Sequence, residues 1–101
     1  MNRQSAAIAN FSGDIDFTKR DEIRSRLEGL REAELAIVDL LNVSYMDSIA
    51  LAEIVLLHRS RSQAGLSPPR IVVGPKISRL YEISGLQLVL PSYTSVAEAQ
   101  A

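Results

Sequence analysis

The chain has no cysteine, no tryptophan and a single histidine, His58. Without cysteine there is no disulfide framework, no thiolate metal site and no cysteine nucleophile. With one histidine besides, the cysteine- and histidine-based zinc sets cannot assemble. Long apolar runs are missing too. The longest, Ile49 to Leu57, is interrupted by Glu53 and falls far short of the ~20 residues that cross a bilayer. The opening Met-Asn-Arg-Gln-Ser leads into no apolar h-region, so no signal peptide is expected. Neither sign of charge is in excess: 11 basic residues face 12 acidic ones, for a net charge of −1. Duplex-binding domains usually carry a basic excess, so nucleic acid is disfavoured as a partner. The five glycines, at 13, 29, 65, 74 and 85, form neither Gly-x-Gly-x-x-Gly nor Gly-x-x-x-x-Gly-Lys. That removes the common phosphate-cradling loops.

What remains is an ordinary small domain. A length of 101 residues fits one hydrophobic core, and 47% apolar with 23% charged residues argues against disorder. Ala6 to Phe11 reads as a short strand, Gly13-Asp14 as a turn, and Ile15 and Phe17 as inward-pointing. Asp16 to Glu32 is a helix, with Thr18 as its N-cap and Ile23, Leu27 and Leu30 as its buried stripe. Leu35 to Leu40 is too apolar for a half-exposed strand and reads as a central one. Asn42 to Asp47 is expected as a loop. Ser48 to Ala64 follows as an apolar helix that turns polar in its second half and is stopped by Gly65. Arg70 to Val73 is a buried strand, and Pro75 opens a third helix whose apolar side is Ile77, Leu80, Tyr81 and Ile83. Leu86 to Leu90 is expected as a final strand, and Thr94 to Ala101 as a short terminal helix. Strands alternating with helices imply an α/β domain with a mostly parallel sheet.

Few residues could carry chemistry. His58, Arg59 and Arg61 read as a solvated helix end, where cations suit the negative end of the dipole. A phosphate patch is the alternative reading of the same three. Asp14 and Asp16 have the i, i+2 spacing of a carboxylate pair, but a Gly-Asp turn and a helix start explain them as well. No coherent catalytic or nucleotide site assembles from these five residues. The informative stretch is Leu40-Leu41-Asn42-Val43-Ser44-Tyr45-Met46-Asp47-Ser48-Ile49-Ala50-Leu51. Here a buried strand ends, a connection crosses the sheet edge with Tyr45 and Met46 at its tip, and an apolar helix begins with Asp47 or Ser48 as its cap.

In that context the sequence resembles the STAS family of bacterial anti-sigma factor antagonists. Gly13-Asp14-Ile15-Asp16 is similar to the family's early Gly-Glu-Leu-Asp turn. Val38-Asp39-Leu40 followed by Met46-Asp47-Ser48 is similar to its strand and phosphorylation loop, and Ser84-Gly85-Leu86 to its Ser-Gly-Leu. The resemblance implies a single STAS-like domain over residues 1–101, with a four- to five-stranded mixed sheet and helices packed mainly on one face. It implies a non-enzymatic, cytoplasmic regulator without cofactor, metal or direct membrane contact. Its partner would be an anti-sigma factor or GHKL-type serine kinase, gripped through Ser44, Tyr45, Met46, Asp47, Ser48 and Ile49. The family's usual second hydroxyl and glycine are here Ile49 and Ala50. Stressosome scaffold members carry an apolar residue at that point and are modified on the first hydroxyl, which makes Ser48 the implied phosphoacceptor. Unpaired N–H groups at the helix start would tolerate the added phosphate. The other implied role is a constitutive structural subunit of a stressosome-like or transporter-associated assembly, a homodimer or larger, without a phosphate switch.

Overall fold

The computed structural model describes residues 6–101. In chain order it contains β1 (Ala6–Ile15), a 3-10 turn (Phe17–Lys19), α1 (Arg20–Glu28), β2 (Leu35–Met46) and α2 (Ser48–Gln63). After these come β3 (Arg70–Val73), α3 (Ser78–Ile83), the single-turn α4 (Leu86–Val89), β4 (Ser92–Tyr93) and α5 (Val96–Gln100). The sheet has four strands in the order β1-β2-β3-β4. All three pairings are parallel, where a mixed sheet was expected. The reason is that a helix-bearing crossover, not a hairpin, joins each strand to the next, so every strand returns in the same direction.

Period-2 alternation in the central strands divides the core. Ala36, Val38, Leu40, Ile71 and Val73 face the main core beneath the first three helices. Leu35, Ile37 and Val72 face the other way, where Ala99 and Val96 of α5 cover them. Helices therefore lie mainly on one face, with α5 alone on the other. Ser95 caps α5 by accepting from the Glu98 amide, and the Glu98 carboxylate accepts from the Thr94 amide.

β1 and β2 both run on through the segments expected as turn and loop. Their register skips twice: Asn10 pairs Asp39 but Ser12 pairs Asn42, and Gly13 pairs Val43 but Asp14 pairs Tyr45. Each skip places one extra residue in β2, which is a bulge. The extra residues change the inward spacing from two to three, so Leu40, Val43 and Met46 all reach the core. Gly74 sits against this irregular stretch. A Cβ there would stand 2.1 Å from the Leu41 carbonyl oxygen, so only glycine lets β3 end so close to the bulge.

Other expectations are corrected by burial. Phe17 is 67% exposed rather than inward, because Asp16, not Thr18, caps the chain there and turns it outward. The Asp16 carboxylate accepts from the Thr18 amide at 3.0 Å and from the Thr18 hydroxyl. Ile83 is also exposed. Leu86 to Leu90 is one helical turn, not a strand, and it buries Leu86 and Leu90 at i, i+4 while Leu88 and Val89 stay in solvent. The Leu90 carbonyl is taken by the Tyr81 hydroxyl at 2.6 Å instead of by a sheet neighbour. Burial of that phenol raises its pKa. The stripe Ile23, Leu27 and Leu30 is buried as expected, although α1 proper ends at Glu28.

Candidate functional site

The front of α2 lies at the end of the sheet where β1 and β2 finish, and one side chain holds that corner together. Asp47 is the N-cap: its Oδ1 accepts from the Ile49 and Ala50 amides, each at 3.1 Å. Its Oδ2 accepts from the Phe17 amide at 2.9 Å, and its own amide donates to the Ile15 carbonyl. Asp47 therefore fastens the start of α2 to the chain leaving β1. Ala50 is fully buried beneath it. The two donors expected to greet a phosphate are already occupied by this carboxylate.

Ser48 is the first residue of α2 and is exposed. Its hydroxyl makes no hydrogen bond among the described residues, because the capping role has fallen to its neighbour. Ser44 is exposed, Tyr45 is 52% exposed, and Ile49 is half-buried. Met46 is only 1% exposed and belongs to the core, so its side chain is removed from the expected contact surface. The second bulge explains the split: it turns Ser44 and Tyr45 outward together and Met46 inward. Phe17, tied through its amide to Asp47, adds a second exposed aromatic at the same corner. Sequence reasoning missed it, although Asp16 two residues before Thr18 is a sufficient Asx-turn signal.

The acid pair does not form. Asp16 is committed to Thr18, whose hydroxyl and amide hold its carboxyl below the ordinary carboxylate range, with help from Lys19. Asp14 presents its backbone carbonyl to Lys19 Nζ at 2.6 Å.

The basic cluster divides as well. Arg61 is not solvated: it is 0% exposed. Its Nε donates to the Ser67 carbonyl at 2.8 Å, its Nη1 to the Leu30 and Ala33 carbonyls at 2.7 Å, and its Nη2 to the Glu34 carbonyl at 3.2 Å. Burial lowers its pKa. A guanidinium spent on carbonyls in this way cannot serve an anion, which ends the phosphate-patch reading. Arg59 is exposed, and His58 is half-buried with Nδ1 unpartnered among the described residues. The buried positions of α2 are Ala50, Glu53, Ile54, Leu57 and Arg61. That is one helical stripe, so the i+4 step from Leu57 was the available signal for Arg61. Glu53 on the same stripe is held bidentate by Arg24 of α1, at 3.1 and 2.9 Å.

No group of three or more potential metal-ligating acidic or histidine side chains occurs among the described residues. No helix among them is long and apolar enough to cross a membrane.

A family model, the STAS domain, matches residues 2–99. An anti-sigma F factor antagonist from Paenibacillus polymyxa is 27% identical over 97% of this chain and 86% of its own length. A crystal structure of an anti-sigma factor antagonist from Mycobacterium paratuberculosis superposes with a TM-score of 0.80 at 18% identity, covering 99% of this chain and 86% of that one. The Bacillus cell fate determinant SpoIIAA in its phosphorylated form gives a TM-score of 0.63 at 16% identity, with 96% and 90% covered.

Proposed function

The chain belongs to the STAS domain family, and from that premise we propose that it is a non-enzymatic, cytoplasmic regulator of the anti-sigma factor antagonist kind. Its partner is an anti-sigma factor or GHKL-type serine kinase, and phosphorylation of Ser48 controls the contact. The observation that carries this reading is the division of labour between Asp47 and Ser48. The acid caps α2 and leaves the serine hydroxyl exposed and unbonded at the same corner as Tyr45 and Phe17. The homology to an anti-sigma F factor antagonist supports the kind of partner.

The contact surface is Ser44, Tyr45, Ser48 and Ile49, with Phe17 added. Met46 supports it from the core, and Asp47 supports it by holding the corner. Exposed aromatics on a rigid mount lose little entropy on binding and suit an interface anchor. A phosphoryl group on Ser48 carries about −1.5 to −2 charges. With the Ile49 and Ala50 donors taken by Asp47, that charge stays unneutralised beside a carboxylate. It would have to be desolvated against the partner, so the complex dissociates without any change of fold.

The test is incubation of the chain with its cognate kinase and ATP, followed by peptide mapping of the product. The expected product is a single phosphate on Ser48, absent from Ser48→Ala. Undiminished labelling of Ser48→Ala would overturn the assignment.

A further inference from the structure

We propose that Arg26 and Lys19 close the open edge of the sheet against a second copy of this chain, and that without them β1 pairs with β1 of that copy. The inference goes beyond the Ser48 reading and uses none of its residues. The sheet has two edges of unequal length. At one, β4 is two residues long, too short to template another strand. At the other, β1 is ten residues long and has a neighbour, β2, on one side only. A bare strand of that length offers a row of amides and carbonyls to any strand that meets it.

Two cations hold this edge. Arg26 of α1 donates from Nη1 to the Asn10 carbonyl at 2.7 Å. It is fixed there twice more, by Glu22 at 3.4 Å and by the Phe11 ring, whose centroid lies 5.7 Å from the guanidinium carbon. Lys19, from the 3-10 turn, donates to the Asp14 carbonyl at 2.6 Å. β2 occupies one side of β1, so these side chains come from the side where a new strand would lie. With carbonyls 10 and 14 taken, residues 6–9 are the longest free run of the described strand, and four residues hold two chains together poorly. The strand itself is suited to its own copy. Residues 6–12 carry no charge. A twofold contact is antiparallel and self-complementary, and centred on Asn10 it sets Asp14 opposite Ala6 of the other copy, where no like charges meet. The two Arg26 side chains, by contrast, would meet at the axis. They block the pairing by occupying the carbonyls and by repelling each other.

The experiment is light scattering on the full chain over a range of concentrations, with melting temperature as the check of folding. The parent is expected to keep the monomer mass up to about 500 μM. The double variant Arg26→Met/Lys19→Met keeps both apolar stems and drops both charges. Its mass is expected to double by about 100 μM, as suits a small interface. Adding Asn10→Lys to the double variant sets like charges opposite each other at the axis and should restore the monomer. Should the double variant fail to fold, Lys19→Met alone decides, because Lys19 is exposed; its mass should rise at about fivefold higher concentration. A parent that dimerises as readily as the double variant would overturn the proposal. So would a folded variant that stays monomeric at about 500 μM, or a dimer indifferent to Asn10→Lys. None of these outcomes bears on phosphate mapping at Ser48, so the two readings fail separately.

Discussion

The two ends of α2 look alike in composition and behave oppositely. Each is a polar stretch at the edge of an apolar run: Met-Asp-Ser at the front, His-Arg-Ser-Arg at the back. At the front the charged residue turns back onto the backbone, and the neighbouring hydroxyl is left in solvent. At the back the charged residue turns into the domain and is exhausted by the carbonyls of the α1–β2 and α2–β3 connections. What separates the end proposed to be functional from the structural one is where the hydrogen-bonding capacity goes. Ser48 has donor and acceptor capacity to spare, and Arg61 has none.

Substitutions should expose this difference. The largest effect is expected at the back. Arg61→Ala would take the guanidinium away from the Leu30, Ala33, Glu34 and Ser67 carbonyls, a fully buried bond at Leu30 and partly buried ones at the rest. Among the described residues only the Glu34 carbonyl keeps a second donor, the Ser67 hydroxyl. A loss of about 3–5 kcal/mol is expected in urea unfolding, with Arg61→Lys intermediate because an ammonium cannot reproduce the fork. If Arg61→Ala is as stable as the parent, Arg61 is not the staple described. At the front, Asp47→Ala removes a helix cap and a tether to Phe17, and should cost about 1–2 kcal/mol. Ser48→Ala beside it should stay within about 0.5 kcal/mol of the parent. Equal effects at 47 and 48 would erase the division of labour. The smallest effect is the acid response of the neighbouring turn. Asp16 has a depressed pKa in the fold, so its contribution is present above the unfolded value of about 3.9. That contribution is lost as pH falls through the folded value. Asp16→Asn should therefore flatten the acid limb of a stability–pH curve below about pH 4 and leave its neutral region nearly parallel to the parent's.

Much of this was legible in the residues. The alternation of strands and helices, the stripe Ile23-Leu27-Leu30, the Gly65 stop and the exposed serine at the front of α2 follow from periodicity and capping chemistry. Gly65 has the left-handed backbone, and the Leu66 amide returns to the Arg61 carbonyl, as such a stop requires. What escaped were features set by tertiary register. Met46 looks like a loop-tip residue until two bulges in β2 change its spacing. Leu86-Gln87-Leu88-Val89-Leu90 has both strand alternation and an i, i+4 pair, and the Tyr81 hydroxyl decides for the helix by taking the Leu90 carbonyl. Arg61 looks solvated because arginine usually is; its place on the buried stripe outweighs its chemistry only because carbonyls from two connections meet it there.

The central claim is most directly tested by immobilising the cognate anti-sigma kinase and measuring capture of the parent chain, Ser48→Ala and Ser48→Asp on one surface. Capture of the parent and Ser48→Ala at matching affinity, with Ser48→Asp at least about tenfold weaker, is the predicted result. Equal capture of all three, with each folded to the same melting temperature, would contradict it.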